Sequence, residues 1–125
     1  MTNHIYSRMT QGAPEPVVDM PATILLWTDR NAGTVVHVWT ERKHQYVTIQ
    51  EDRAIRTDKN GLSDSQEYDY KRDPFGRLVM FRREPDGRWR EAYRDAVTKK
   101  MRIHKYGSGN GLILGRRETY RDPSF

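Results

Sequence analysis

Arginines interleaved with aromatic side chains are the chemically suggestive pattern in this 125-residue chain. Arg77, Phe81 and Arg82 are followed by Arg88-Trp89-Arg90, by Tyr93-Arg94, and by Arg116-Arg117 with Tyr120. Guanidinium forks grip phosphate and aromatic faces stack bases, so a nucleotide ligand calls for both. Aromatics in a small β protein also fill its core. Trp27 and Trp39 read as core residues, whereas Trp89, set between two arginines, fits either role. For any single arginine in Arg82-Arg83 or Arg88-Trp89-Arg90, a solvated sheet face is the simpler reading.

A further candidate, Arg56, sits in the 21-residue stretch Gln50–Tyr70. This stretch starts as a strand, runs through the charged Lys59-Asn60-Gly61 region and returns to strand-like alternation at Gln66–Tyr70. A connection of that length without regular structure is uncommon in a compact domain and tends to be functional. It nearly matches a calcium loop, with Asp58, Asn60, Gly61 and Glu67 at the third, fifth, sixth and twelfth positions. The first position is Arg56, a fixed cation where a carboxylate should stand, and no helix pattern flanks the segment. The residue that argues against a metal is itself suited to phosphate.

Other chemistry is poorly supported. His4, His37, His44 and His104 lack metal-ligand spacing, and no nucleophile stands beside a recognisable base. Neither a metal, a cofactor nor a catalytic set is expected, and the chain reads as a non-enzyme. Gly107-Ser108-Gly109-Asn110-Gly111 leads into Leu112-Ile113-Leu114 rather than into a helix, unlike a P-loop. It reads either as a hairpin turn or as a hinge that brings residues 115–120 over a pocket.

These side chains must be carried by strands. Thr23–Thr28, Thr34–Glu41, Gln45–Glu51, Gln66–Arg72 and Arg77–Arg83 are short runs rich in β-branched and aromatic residues at a period of two. Val36 and Val38 alternate with Val35, His37 and Trp39, and Tyr68 shares a face with Tyr70. Asp73-Pro74-Phe75-Gly76 and Glu84-Pro85-Asp86-Gly87 are turns. Residues 88–106 fit either a helix or a hairpin around Asp95–Lys100, and the Asp-Gly turn before them favours the hairpin. The expected fold is all-β, a small antiparallel barrel or sandwich, SH3-like in part, with a long Arg-containing loop and room for a short C-terminal helix. Residues 1–16 read as a flexible N-terminal arm and 17–125 as a single β domain.

Composition sets the wider frame. The chain is 31% charged and 35% hydrophobic, yet its 3 Trp, 7 Tyr and 3 Phe argue against disorder. Oligomerisation would help so small a core. The absence of cysteine fits a reducing cytosol, and Ala22–Trp27 is too short an apolar run to span a bilayer. The net charge of +5 hides an asymmetry. Residues 1–70 hold 7 Lys/Arg against 10 Asp/Glu, and residues 71–125 hold 15 against 7.

Four segments together resemble a phage family: Ala-Thr-Ile-Leu-Leu-Trp-Thr-Asp-Arg at 22–30, Gln-Glu-Asp-Arg-Ala-Ile-Arg-Thr-Asp-Lys-Asn-Gly at 50–61, Ser-Asp-Ser-Gln-Glu-Tyr at 63–68, and Gly-Arg-Arg-Glu-Thr-Tyr-Arg-Asp-Pro-Ser-Phe at 115–125. They are similar to the Thoeris anti-defence proteins of the first described type, small sponges that sequester immune signals. The resemblance implies a protein of the infected bacterial cytoplasm that binds cyclic ADP-ribose isomers without turnover, blocking Thoeris defence. It also implies a homo-oligomer, a dimer or a hexamer, and in some relatives a second site for cyclic trinucleotides of CBASS defence. Carried over residue by residue, it assigns ligand contacts to Arg56, Phe81, Arg116 and Arg117, and less directly to Trp89 or Glu91. The basic second half supports an alternative, a small β-barrel nucleic-acid-binding module. A third reading is a structural interaction protein without a small ligand.

Overall fold

The computed structural model describes residues 14–59, 66–104 and 109–123. The described residues form nine strands in two antiparallel sheets and contain no helix. In chain order they are β1 Pro21–Leu25, β2 Arg30–Glu41, β3 His44–Glu51, β4 Arg53–Arg56, β5 Tyr68–Lys71, β6 Leu78–Arg83, β7 Trp89–Arg94, β8 Met101–Ile103 and β9 Gly111–Leu114. Seven make one sheet in the order β8-β7-β6-β3-β2-β1-β9, and β4 pairs with β5 alone. The sheet curls until β7 approaches β9, but its edge strands β8 and β9 do not pair. The antiparallel all-β architecture is as expected; the barrel is left open, and the C-terminal segment carries no helix in its described part.

The core lies on one face of this curl, where Ile24, Val35, Val47, Ile49 and Phe81 are fully buried among Val79, Trp89, Leu112 and Leu114. Strand periodicity explains most of it. Val47 and Ile49 on β3 face Phe81 and Val79 on β6, their register partners. Strand β2 departs from simple alternation through a bulge between Val35 and His37. One extra residue resets the faces, so Val35 and Val38 both turn to the core three positions apart. On the other face Trp39 stacks between His37 and Tyr46, at 4.7 and 5.3 Å. Trp27, expected in the core, is instead 97% exposed in the turn between β1 and β2.

Turns fix the connections. Gly76 donates to the Asp73 carbonyl at 2.9 Å, and a Cβ there would stand 2.1 Å from the Glu51 carbonyl oxygen, so only glycine fits. The hairpin reading of 88–106 holds over its described residues. Asp95 Oδ1 accepts from the backbone N–H groups of Val97 and Thr98, closing the β7–β8 turn. The stretch after Gln50 is no structureless loop, since β4 and β5 form a hairpin whose tip, 60–65, lies outside the described residues. Of the expected arm, residues 1–13 also lie outside them; Glu15 pairs with Arg83 at 2.8 Å and Pro16 is buried. No helix among the described residues is long and apolar enough to cross a membrane.

Candidate functional site

The β4–β5 hairpin and the C-terminal segment meet beside the β1–β2 turn and enclose a cleft of about 550 Å³. Its walls are Thr28 and Arg30 from the turn, Gln66, Tyr68 and Tyr70 from the hairpin side, and residues 117–120 from the tail. Alternation on β5 puts Tyr68 and Tyr70 on one face, where their rings stack at 6.5 Å and 25°. Gln66 ties hairpin to tail. Its amide donates to the Arg121 carbonyl at 2.8 Å, while its side-chain oxygen accepts from the Tyr68 hydroxyl and the Arg121 N–H.

The tail itself is held by strand-like bonds. Arg30 and Tyr120 exchange two backbone hydrogen bonds, both of 2.9 Å. The Thr23 hydroxyl donates to the Arg116 carbonyl and accepts from the Glu118 N–H. Asp29 accepts from the Asp122 N–H. Gly115, at φ +94°, makes the bend that sends the chain from β9 into this path.

Electrostatics at the cleft follow from these placements. Arg117 donates through Nε to Asp52 Oδ2 at 2.6 Å and through Nη2 to the Thr34 hydroxyl at 3.2 Å. Thr34 in turn donates to Asp52 Oδ1, and the Asp52 side chain is only 2% exposed. Arg117 is therefore a positioned cation. Arg30 pairs with Glu118 at 2.5 Å. Arg56 grips Asp58 through Nε at 2.9 Å, and that carboxylate raises the guanidinium above its ordinary pKa. Among the described residues its buried Nη2 has no partner, nor does the hydroxyl of Thr119 in the cleft wall. Asp58, taken by Arg56 and by the Glu67 N–H, is not placed as a calcium ligand would be. The Asn60 and Gly61 positions of that near-match lie outside the described residues.

The six residues singled out in the sequence fall into two groups. Arg117 lines the cleft; Arg56 stands opposite Tyr68 in the hairpin register; Arg116 follows Gly115 at the tail's start, 59% exposed. Phe81, Trp89 and Glu91 lie elsewhere, on β6 and β7. Phe81 is a correction, because at 0% exposure within the core it has no face to offer a base. Trp89 is a second correction. It is 8% exposed in the same core, with Arg83 Cζ 5.6 Å from its ring centre. Glu91, Phe81's register partner, accepts from the Asn110 N–H at 2.9 Å and lies 3.1 Å from His104 Nε2. Of the hinge expected at 107–111, residues 107 and 108 lie outside the described residues, while Gly109 turns at φ +88° and Gly111 opens β9; residues 117–120 line the cleft.

Sequence reasoning missed Arg30 and Thr119 as cleft residues. The one available signal was the Tyr68/Tyr70 alternation, which marks a ring-bearing face. Nothing in the sequence pairs Arg30 with Tyr120, 90 positions away. Fold and cleft together define an open antiparallel β-roll with a tyrosine- and arginine-lined groove built by an inserted hairpin and the chain's C-terminal segment. No family model, curated protein or solved structure matches the chain.

Proposed function

We propose that this chain is a phage-encoded sponge that binds cyclic ADP-ribose-type signals in its cleft and withholds them from Thoeris defence without turnover. The observation that carries the reading is the meeting of a stacked tyrosine pair with Arg30 and Arg117 in one groove of nucleotide size. Arginine forks suit a pyrophosphate, each charge-assisted hydrogen bond being worth about 1.5–3 kcal/mol. Tyr68 and Tyr70 supply the aromatic faces for stacking, in place of Phe81, to which the resemblance assigned a ligand contact. Tight binding without turnover asks only for such a groove. A homo-oligomer and a second site for cyclic trinucleotides belong to the same reading and rest on the resemblance.

Calorimetric titration of a cyclic ADP-ribose isomer, set beside single-stranded RNA, tests it. Tyr68→Ala and Tyr70→Ala are expected to lose about 1–3 kcal/mol of affinity for the cyclic nucleotide. Tight RNA binding with none to the cyclic nucleotide would instead establish the nucleic-acid-binding module. Full affinity in both tyrosine variants would remove the cleft from consideration.

A further inference from the structure

Glu118 occupies an odd place. It is the carboxylate among the cleft-lining residues, which include Arg30 and Arg117, and it lies within ion-pair distance of two arginines at once. Its Oε2 is 2.5 Å from Arg30 Nη1 and its Oε1 is 3.8 Å from Arg116 Nε. Both arginines are well exposed, and neither has another carboxylate within 4 Å among the described residues. Arg121 stands next to them. Its Nη1 donates only to neutral oxygens, those of Asn31, Arg30 and Tyr120. The rim thus brings two guanidiniums to one partly exposed carboxylate, with a third arginine bonded to the Arg30 carbonyl.

We propose that Glu118 is a placeholder for a ligand's phosphate. The carboxylate holds Arg30 and Arg116 in position before a ligand arrives, and an incoming phosphate displaces it and takes both guanidiniums, with Arg121 supplying charge nearby. A carboxylate and a phosphate present similar oxygen pairs to a guanidinium fork, but phosphate brings a third oxygen and more charge. The backbone bonds between Arg30 and Tyr120 fix the receiving arginine, so the exchange requires only that the Glu118 side chain swing aside. The ligand class is any compound with an accessible phosphate or pyrophosphate. The inference rests on the cleft being a ligand site, and it gives Arg30, Arg116 and Glu118 their separate parts there.

The test compares Glu118→Gln with the unaltered protein by calorimetry, using inorganic pyrophosphate, linear ADP-ribose and a cyclic ADP-ribose isomer. Removing the competing charge is expected to tighten binding of each phosphate-bearing probe about fivefold, the equivalent of an exposed ion pair. Arg30→Gln is expected to weaken it about tenfold, as loss of a charge-assisted contact would. The melting temperature of Glu118→Gln should stay within a few degrees, because the pair it breaks is half-exposed. Unchanged or weaker binding in Glu118→Gln overturns the placeholder even where the cyclic nucleotide binds well. If pyrophosphate and ADP-ribose show the gain while the cyclic isomer does not bind, the placeholder stands and the sponge reading falls. Failure of every probe to bind either form overturns both.

Discussion

Replacing Phe81 separates the core from the proposed ligand site more cleanly than any other single change. Its ring is fully buried, flanked in register by Val47 on β3 and Glu91 on β7, and belongs to the cluster that includes Ile49, Val79 and Trp89. Truncating a buried phenylalanine to alanine costs about 3–5 kcal/mol, from lost burial and the cavity left behind. Small domains hold only about 5–15 kcal/mol in all, so Phe81→Ala should remove about a fifth of the stability or more. With a urea slope of about 2 kcal/mol per molar, the unfolding midpoint should fall by about 2 M. Phe81→Leu keeps an apolar side chain at about 1–2 kcal/mol, and supplies the decisive comparison. Read by tryptophan emission in urea, both variants should be destabilised in that order. Titrated well below its midpoint, Phe81→Leu should bind a cyclic ADP-ribose isomer as the unaltered protein does. A Phe81→Ala protein with an unchanged midpoint and abolished binding would show the ring at the ligand, and the core assignment would be wrong.

Two other expectations concern charge. Arg117→Ala leaves Asp52 buried beside Thr34 with its cation gone, and should cost about 2–3 kcal/mol, the lower side of a broken buried pair because Arg117 is partly wet; adding Asp52→Asn should restore part of the loss in the same urea melts. On the acid side, Arg94 holds Glu41 below the usual carboxylate range chiefly by a side-chain hydrogen bond, and the Thr98 and Val97 N–H groups do the same for Asp95. A folded pKa lower than the unfolded one gives stability that is present above the ordinary carboxylate range and is lost as pH falls through the folded value. Melting temperature should therefore decline between about pH 5 and about pH 3, and the decline should be shallower in Glu41→Gln/Asp95→Asn.

The strands were legible because burial on one face writes a period of two into β3 and β6, where Val47, Ile49, Val79 and Phe81 sit as that period requires. Trp27 was misread since an exposed aromatic looks the same as a buried one in a short apolar run. The bulge at Val35 and His37 escaped for a related reason, as one inserted residue shifts faces without leaving a composition signal. The Gln50–Tyr70 stretch supplies Gln66, Tyr68 and Tyr70 to the cleft wall, and its Arg56 stands opposite Tyr68 in the hairpin register. The remaining walls come from Arg30 and residues 117–120, which only tertiary pairing brings together. Phe81 was drawn into the site by resemblance and returned to the core by burial.

The arrangement of charge bears on what kind of ligand the chain can take. A half carrying 15 cationic residues against 7 acidic ones suggests a polyanion-binding face. In the fold those arginines are spent locally or across the sheet. Arg72, Arg77, Arg83, Arg94 and Arg117 reach carboxylates of the acidic first half, at Asp19, Glu51, Glu15, Glu41 and Asp52. Arg82, Arg88, Arg90, Arg102 and Arg116 find theirs within the second half. Among the described arginines of 71–125 only Arg121 has no carboxylate within 4 Å, and it belongs to the segment that walls the cleft. A duplex or a long single strand needs a continuous row of unspent cations, and its affinity would fall steeply with salt. A compact anion held at one groove, as proposed, would by contrast show only a weak salt dependence. The arginine share of the asymmetry that suggested nucleic acid in the sequence is thus largely taken up in ion pairs within the fold, and the salt dependence of binding separates the two readings.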